Sequence, residues 1–384
     1  MKNNVIFLGC TQDFGYQFSA ANTKTELIIR GLQACGDRST IINGLVGSKC
    51  VRNKSIITSS YNFDIITYPL KINQFISWIF NITLLFNDLK RIKNKAYNNV
   101  IFLELPDYHI YLIYILLSRL LKFKLVVISH EWATTLNSSH WIRKPSEMLF
   151  SLTFGYMVDG ILPISEYIIK HIRHFKKPFI KLPILADFQV ELSSHTDESN
   201  YFLYCVNAYY TRVIYMIIDS YKMYLNELGN KSFILILSGS FEQISIVNEY
   251  IKSSSIEKNI ILKYNISYES LLKLYRNADA LLIPLDPINK QDQARFPQKV
   301  AEYLSSRTPL ISNLVGEIEY YFTSGENIII APVYTVEGFC LAFKWVDNNP
   351  QKANIIGLNG YNLGMKFFNY IENGKNVHDF LLKI

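Results

Sequence analysis

Short apolar runs recur along this chain without polar alternation, and most are followed by a stretch of helical period. In the first half the runs fall at Val5–Gly9, Thr40–Asn43, Val100–Glu104, Leu125–Ser129, Gly160–Ile164 and Phe179–Pro183. Helical patterns lie between most of them, at Ala20–Ala34, Leu70–Leu89, Tyr108–Leu121, Ser146–Tyr156 and Glu166–Phe175. Unalternating runs predict strands buried on both faces. Their separation by helices predicts parallel pairing through right-handed crossovers.

The rhythm breaks once, at the polar stretch from Val190 to Asn200, which reads as an interdomain linker. It then restarts with runs at Phe202–Val206, Phe233–Ser238, Ile260–Lys263, Ala280–Pro284, Pro309–Asn313 and Asn327–Ala331. Helices are predicted at Arg212–Leu225, Gln243–Lys252, Tyr268–Arg276, Pro297–Ser305 and Thr335–Asn348. The expected organisation is a doubly wound domain over 1–190, a second over 191–354, and a helical segment over 355–384 packing back toward the first. A length of 384 residues with 49% hydrophobic and 18% charged residues is enough for two such cores. Open parallel sheets bind ligands at the carboxyl ends of their strands, so the expected site is a cleft between two facing sheets.

Charge and cysteine usage narrow the function classes. The net charge of +7 suits phosphate-bearing ligands or an anionic membrane surface better than nucleic acid, which asks for a concentrated basic stripe. Helix 70–89 with the lysines and arginine after it, and the run from His171 to Lys181, read either as solvated basic faces or as peripheral contacts with anionic lipid. The helix at 108–121 is too short to span a bilayer. Cys10, Cys35, Cys50, Cys205 and Cys340 have no metal-ligand spacing and read as reduced thiols. The opening Met1-Lys2-Asn3-Asn4 lacks a signal-peptide pattern, so the expected location is the cytoplasm, including the inner face of the membrane.

The segment from Asp279 to Pro332 carries the chemistry. A strand ends at Pro284, a polar loop follows, and Arg295-Phe-Pro-Gln-Lys-Val-Ala-Glu302 opens a helix with Pro297 expected in its first turn. Val300, Tyr303 and Leu304 make the buried stripe, while Lys299 and Glu302 share another face. Arg295, Lys299 and the helix amides suit a diphosphate, and Glu302 suits a ribose diol. The same spacing also describes an ordinary solvated ion pair.

This segment resembles the donor-binding region of glycosyltransferase family 4, a large retaining family of GT-B fold. The similarity runs through Arg295-Phe-Pro-Gln-Lys to Pro309-Leu-Ile, then Asn313-Leu-Val-Gly316 and Ser324-Gly-Glu-Asn327. It covers 202–332 well and 1–190 loosely. It implies a transferase that moves a sugar from a nucleotide-diphosphate sugar to a hydroxyl of a glycan or lipid-linked acceptor, with retention of configuration. Glu302 would hold the ribose, and Lys299 or Arg295 the diphosphate, with Phe296 and Gly239 completing the donor set. Two departures stand out. The family's first glutamate is replaced by Ala294, and its Gly-Arg clamp after the first strand is replaced by Asn207-Ala-Tyr-Tyr-Thr-Arg212, where Arg212 stands in for a lysine. In the first half, Gly15 and Phe18 fall in the expected acceptor loop, and His130 ends a strand where the family places a histidine facing the donor sugar. His130, Lys299 and Arg212 form the expected catalytic set. No metal and no cofactor beyond the nucleotide sugar is expected. An inactive GT-B subunit supporting a partner enzyme, and a sugar-nucleotide epimerase using Asp286 and Asp292, are the alternatives.

Overall fold

A computed structural model describes residues 1–9, 14–16, 20–71, 74–104, 108–132, 135, 144–189 and 200–384. The chain divides into two compact units. One comprises Met1–Leu185, Ala294–Gln298 and Phe368–Ile384, the other Ala186–Gln293 and Lys299–Phe367.

The first unit runs β1 (Asn3–Leu8), α1 (Ala20–Ala34), β2 (Arg38–Ile42), β3 (Ser55–Thr58), β4 (Asp64–Thr67), α2 (Gln74–Ile92), β5 (Asn98–Leu103), α3 (Tyr108–Leu120), β6 (Lys124–Ser129), α4 (Lys144–Thr153), β7 (Gly160–Pro163) and α5 (Glu166–Ile172). Its strands form one sheet in the order β3-β4-β2-β1-β5-β6-β7. All neighbours are parallel except the edge pair β3–β4. The central strand β1 has every residue buried, which is why Val5–Leu8 reads as an unbroken apolar run.

The second unit runs β8 (Tyr201–Asn207), α6 (Thr211–Asn226), β9 (Ser232–Ser238), α7 (Phe241–Ser253), β10 (Ile260–Lys263), α8 (Tyr268–Arg276), β11 (Ala280–Ile283), α9 (Lys290–Ala294), α10 (Lys299–Ser305), β12 (Leu310–Ser312), α11 (Ile318–Tyr321), β13 (Ile329–Ile330), α12 (Val336–Asn348) and α13 (Pro350–Phe367). The five residues Ala294–Gln298, beginning with the last residue of α9, are grouped with the first unit. Its sheet is parallel throughout, in the order β10-β9-β8-β11-β12-β13. Phe202, Tyr221, Phe233 and Phe343 interlock at its core.

The last helix, α14 (Tyr370–Lys383), belongs to the first unit, whereas α13 belongs to the second. The helical tail expected over 355–384 therefore divides at Phe368. Helix α14 packs on α1 where Gly31 and Gly374 meet: a Cβ on Gly31 would lie 2.4 Å from the Tyr370 carbonyl oxygen. A buried polar cluster pins the helix. Asp37 accepts from the Asn3 amide at 2.7 Å and lies 2.8 Å from His378 Nδ1, while Asn98 donates to the Leu381 carbonyl at 2.7 Å.

Three expectations need correction. Phe179–Pro183 forms no strand, only a single bridge from Phe179 to Ile161. The strands β3 and β4 are absent from the sequence reading. The helix expected from Pro297 begins two residues later, at Lys299.

Candidate active site

In the second unit the candidate residues gather at the carboxyl edge of the sheet. Lys299 opens α10, and its Nζ donates to the Cys205 carbonyl at 3.0 Å, near the end of β8. Four positions on, Tyr303 is fully buried and its hydroxyl accepts from the Cys205 amide at 3.3 Å. Both contacts fasten α10 to the central strand. Glu302, on the same helix, is 7% exposed. Burial pushes its carboxyl above the usual range, and the Lys299 ammonium pulls the other way. The surroundings of Glu302 therefore differ from the solvated ion pair that the spacing alone allowed.

Arg212 is the second residue of α6, and its side chain is 74% exposed. Its guanidinium lies 3.7 Å from a carboxylate oxygen of Asp286, which follows β11. Gly239 follows β9 with φ +132°, a conformation that side chains rarely adopt, and a Cβ there would meet Gln243 Oε1 at 2.8 Å. The next residue, Ser240, caps α7 through a reciprocal pair of bonds with Gln243.

Asp286 and Asp292 are committed to the backbone. Asp292 accepts from the Asp286 amide at 2.9 Å, and Asp286 accepts from the Ile288 amide at 2.9 Å. Asn313 bonds both the amide and the carbonyl of Leu285, at 2.8 and 2.7 Å. This fixes the chain where it leaves β11.

Arg295 and Phe296 fall in the first unit. Phe296 is 3% exposed and packs edge-on against Phe368, a core position rather than the donor-facing one expected. Arg295 is half-buried. Ala294 is buried, and its carbonyl accepts from the Ser165 hydroxyl at 2.5 Å. The same hydroxyl accepts from the Ile168 amide at 3.2 Å, so Ser165 is both the N-cap of α5 and the tie that holds residue 294. Gln298 grips Leu185 at both its amide and its carbonyl.

A second polar cluster sits at the carboxyl edge of the first sheet. His130 follows β6, Glu104 follows β5, and Lys24 comes from the second turn of α1. Lys24 Nζ is 3.1 Å from His130 Nδ1, His130 Nε2 is 3.7 Å from Glu104 Oε1, and the Thr25 hydroxyl donates to the same Glu104 oxygen at 3.1 Å. Lys24 is only 4% exposed, and burial lowers its pKa to about 7 against the pull of Glu104. Burial lowers His130 as well, with the Lys24 charge acting in the same direction and Glu104 opposing. The imidazole is therefore held neutral at pH 7. When Lys24 is an ammonium, Nδ1 must accept, which leaves the proton on Nε2 facing Glu104.

Sequence reasoning missed Lys24 and Glu104. Glu104 carried a usable signal, an acid ending an apolar run. Lys24 carried none, because a lysine at the N-terminal end of a helix ordinarily faces solvent. Gly15 is exposed with φ +86°, beside Ile57 and Ile65. Phe18 and Cys10 lie outside the described residues. Cys35, Cys50, Cys205 and Cys340 are free thiols. Among the described residues no group of three His, Cys, Asp or Glu is placed to hold a metal ion, and no helix is long and apolar enough to cross a membrane.

Residues 189–363 match the sequence family described as glycosyl transferases group 1. No curated protein matches the chain. Solved structures match over nearly its whole length at low identity. Sucrose-phosphate synthase from Thermosynechococcus elongatus has 13% identity and a TM-score of 0.76, covering 99% of each chain. A glycosyltransferase from Rickettsia africae has 11% identity and a TM-score of 0.71, covering 100% of this chain and 99% of its own. Anabaena HepE in complex with UDP and glucose has 10% identity and a TM-score of 0.73, covering 100% of each. At such identities the likeness is one of fold, and the fold these proteins share with this chain is GT-B.

Proposed function

We propose a function for a chain whose residues 189–363 match the family described as glycosyl transferases group 1. It is a glycosyltransferase that takes its sugar from a nucleotide-diphosphate donor, passes it to a hydroxyl of a glycan or lipid-linked saccharide, and retains the anomeric configuration.

The observation that carries the reading is the pairing of Lys299 and Glu302 on α10. One puts an amine at the end of the central strand, and the other a largely buried carboxylate within a turn of it. A departing nucleoside diphosphate accumulates negative charge, which fixed cations stabilise without reorganising. Lys299 and Arg212 supply that charge, with no metal invoked. Glu302 accepts from the ribose hydroxyls, as acidic residues do in other doubly wound nucleotide sites. In the first unit His130, kept neutral, is a hydrogen-bonding group for the sugar or for the attacking hydroxyl. Retention has that hydroxyl approach on the face the diphosphate leaves.

Neither alternative gains an observation of its own. An epimerase acting through Asp286 and Asp292 would need carboxylates free to face a sugar, and both already hold backbone amides. The buried Ala294 leaves its side chain no polar role, so recognition of the sugar falls to other groups.

The test is calorimetric titration with UDP, GDP and ADP, repeated on Glu302→Ala. One nucleotide is expected to bind the native chain in the micromolar range, and the substitution to weaken it by about tenfold, the scale of one or two lost hydrogen bonds to a charged group. Equal affinity in the variant would remove Glu302 from the ribose, and no binding of any of the three would remove the donor assignment.

A further inference from the structure

The helices α2, α3 and α4 link β4 to β5, β5 to β6 and β6 to β7, each step moving the same way along the sheet. Right-handed crossovers put all three on one face. Helix α1 links strands stepping the opposite way and, with α14 packed on it, covers the other face.

The inner sides of these helices are filled. Leu85 and Leu89 of α2 are buried, Tyr111 of α3 meets Phe150 of α4 with ring centroids 4.9 Å apart, and the Tyr111 hydroxyl donates to the Phe154 carbonyl. Lys93 donates to the Leu121 carbonyl at 2.6 Å, joining the ends of α2 and α3.

The outer sides are apolar too. Helix α2 presents Ile79 and Phe80. Leu112, Leu116 and Leu120 recur about once per turn on α3, and α4 presents Met148, Leu149 and Leu152. Each of these side chains is between 42 and 63% exposed. Single exposed apolar residues are ordinary, but three adjoining helices with the same outward character are not.

The stretch of chain that carries these helices is one-sided in charge. Residues 71–181 hold fifteen Lys and Arg against seven Asp and Glu, a net of +8 in a chain whose whole net charge is +7. Several of the acids are already used: Asp88 is buried between Lys54 and Arg91, Asp159 pairs with Arg119, and Glu147 is buried. Lys90, Lys122, Lys144 and Arg173 remain exposed. Apolar side chains framed by unneutralised cations match the boundary between headgroups and acyl chains of an anionic bilayer. A second copy of the chain would bring the same positive charge against it, so charge opposes self-association here.

We propose that the outer face of α2, α3 and α4 seats the protein on an anionic lipid bilayer. The leucines enter the headgroup boundary, and the surrounding Lys and Arg meet lipid phosphates. The inference stands on the face itself and needs no transfer reaction.

The test is co-sedimentation of the full chain with phosphatidylcholine vesicles, with and without phosphatidylglycerol, beside the double variant Leu116→Glu/Leu152→Glu. The native chain is expected to pellet with the phosphatidylglycerol vesicles alone and to be released by high salt. The variant is expected to lose about tenfold or more in apparent affinity, since it replaces two inserted apolar side chains by charge. Nucleotide titration of the same variant reports its folding independently of lipid. No pelleting of the native chain, or equal pelleting of a folded variant, overturns the proposal. So does a native dimer that the variant dissociates, because the face would then belong to a second copy. Failed nucleotide binding with intact vesicle binding would sink the donor reading and leave this one standing.

Discussion

The two sheets end in charged groups held in opposite ways. At the first, Lys24, His130 and Glu104 are enclosed and bonded to one another, with Lys24 only 4% exposed. At the second, Arg212 is 74% exposed and its contact with Asp286 is 3.7 Å long. The enclosed set has settled its own charges, and burial alters their proton affinities. The open set has unspent charge to offer an incoming anion. On the proposed function, a diphosphate belongs with the second sheet, and a group that needs a neutral, oriented imidazole with the first.

The largest expected effect breaks the open set at its most constrained member. Lys299→Ala should lower kcat for sugar transfer by about 10²-fold or more, the scale for removing one charge-stabilising donor. Because Lys299 also bonds the Cys205 carbonyl, the melting temperature must be measured alongside. A fall in kcat with Tm nearly kept supports a role toward the leaving group. A fall in both, with Lys299→Arg restoring neither, would make the contact purely structural and remove the contrast between the two edges.

The enclosed set is tested through pH. Burial lowers the Lys24 pKa from its ordinary 10.5 to about 7 in the folded chain. Between those values the unfolded chain holds a proton that the folded chain has released, so this group makes stability rise with pH across that window. In Lys24→Met the rise should flatten, and the native chain should gain on the variant from pH 7 toward pH 10 in paired denaturant titrations. Identical slopes would mean that Lys24 is solvated. If the lysine also sets the tautomer of His130, the variant should lose kcat with little change in donor KM, and its pH–rate profile should lose a limb near neutrality.

These residues show unevenly what a sequence discloses. The doubly wound pattern of both units was legible because strands buried on both faces carry unbroken apolar runs, as in Val100–Leu103 and Ala280–Ile283. The hairpin edge was not. β3 is a short edge strand with alternating exposure, and its four residues carry too little apolar sequence to stand out from a loop. The start of α10 was misplaced because Pro297 fits a first helical turn, yet Gln298 is drawn out of the helix to pair with Leu185. Lys299 and Glu302 could be placed on one helix because three-residue spacing survives translation into space. The Lys24–His130 contact joins positions 106 apart, and only the crossing of α1 over the ends of β5 and β6 brings them together.

The smallest expected effect sharpens the comparison at Arg212. An exposed side chain with one long ion-pair contact adds little to stability, so Arg212→Ala should leave the unfolding free energy within about 0.5 kcal/mol of the native value. Its effect should fall on the donor, with KM raised about three- to tenfold and kcat changed less, and Arg212→Lys should recover most of the loss. Added salt should raise the native KM more steeply than that of the alanine variant, because the interaction removed is a screened one. A drop of several degrees in Tm would show that Asp286 and the loop after β11 depend on Arg212. The second edge would then hold its charges as the first one does, by mutual pairing, and the division of labour argued from their exposure would fail.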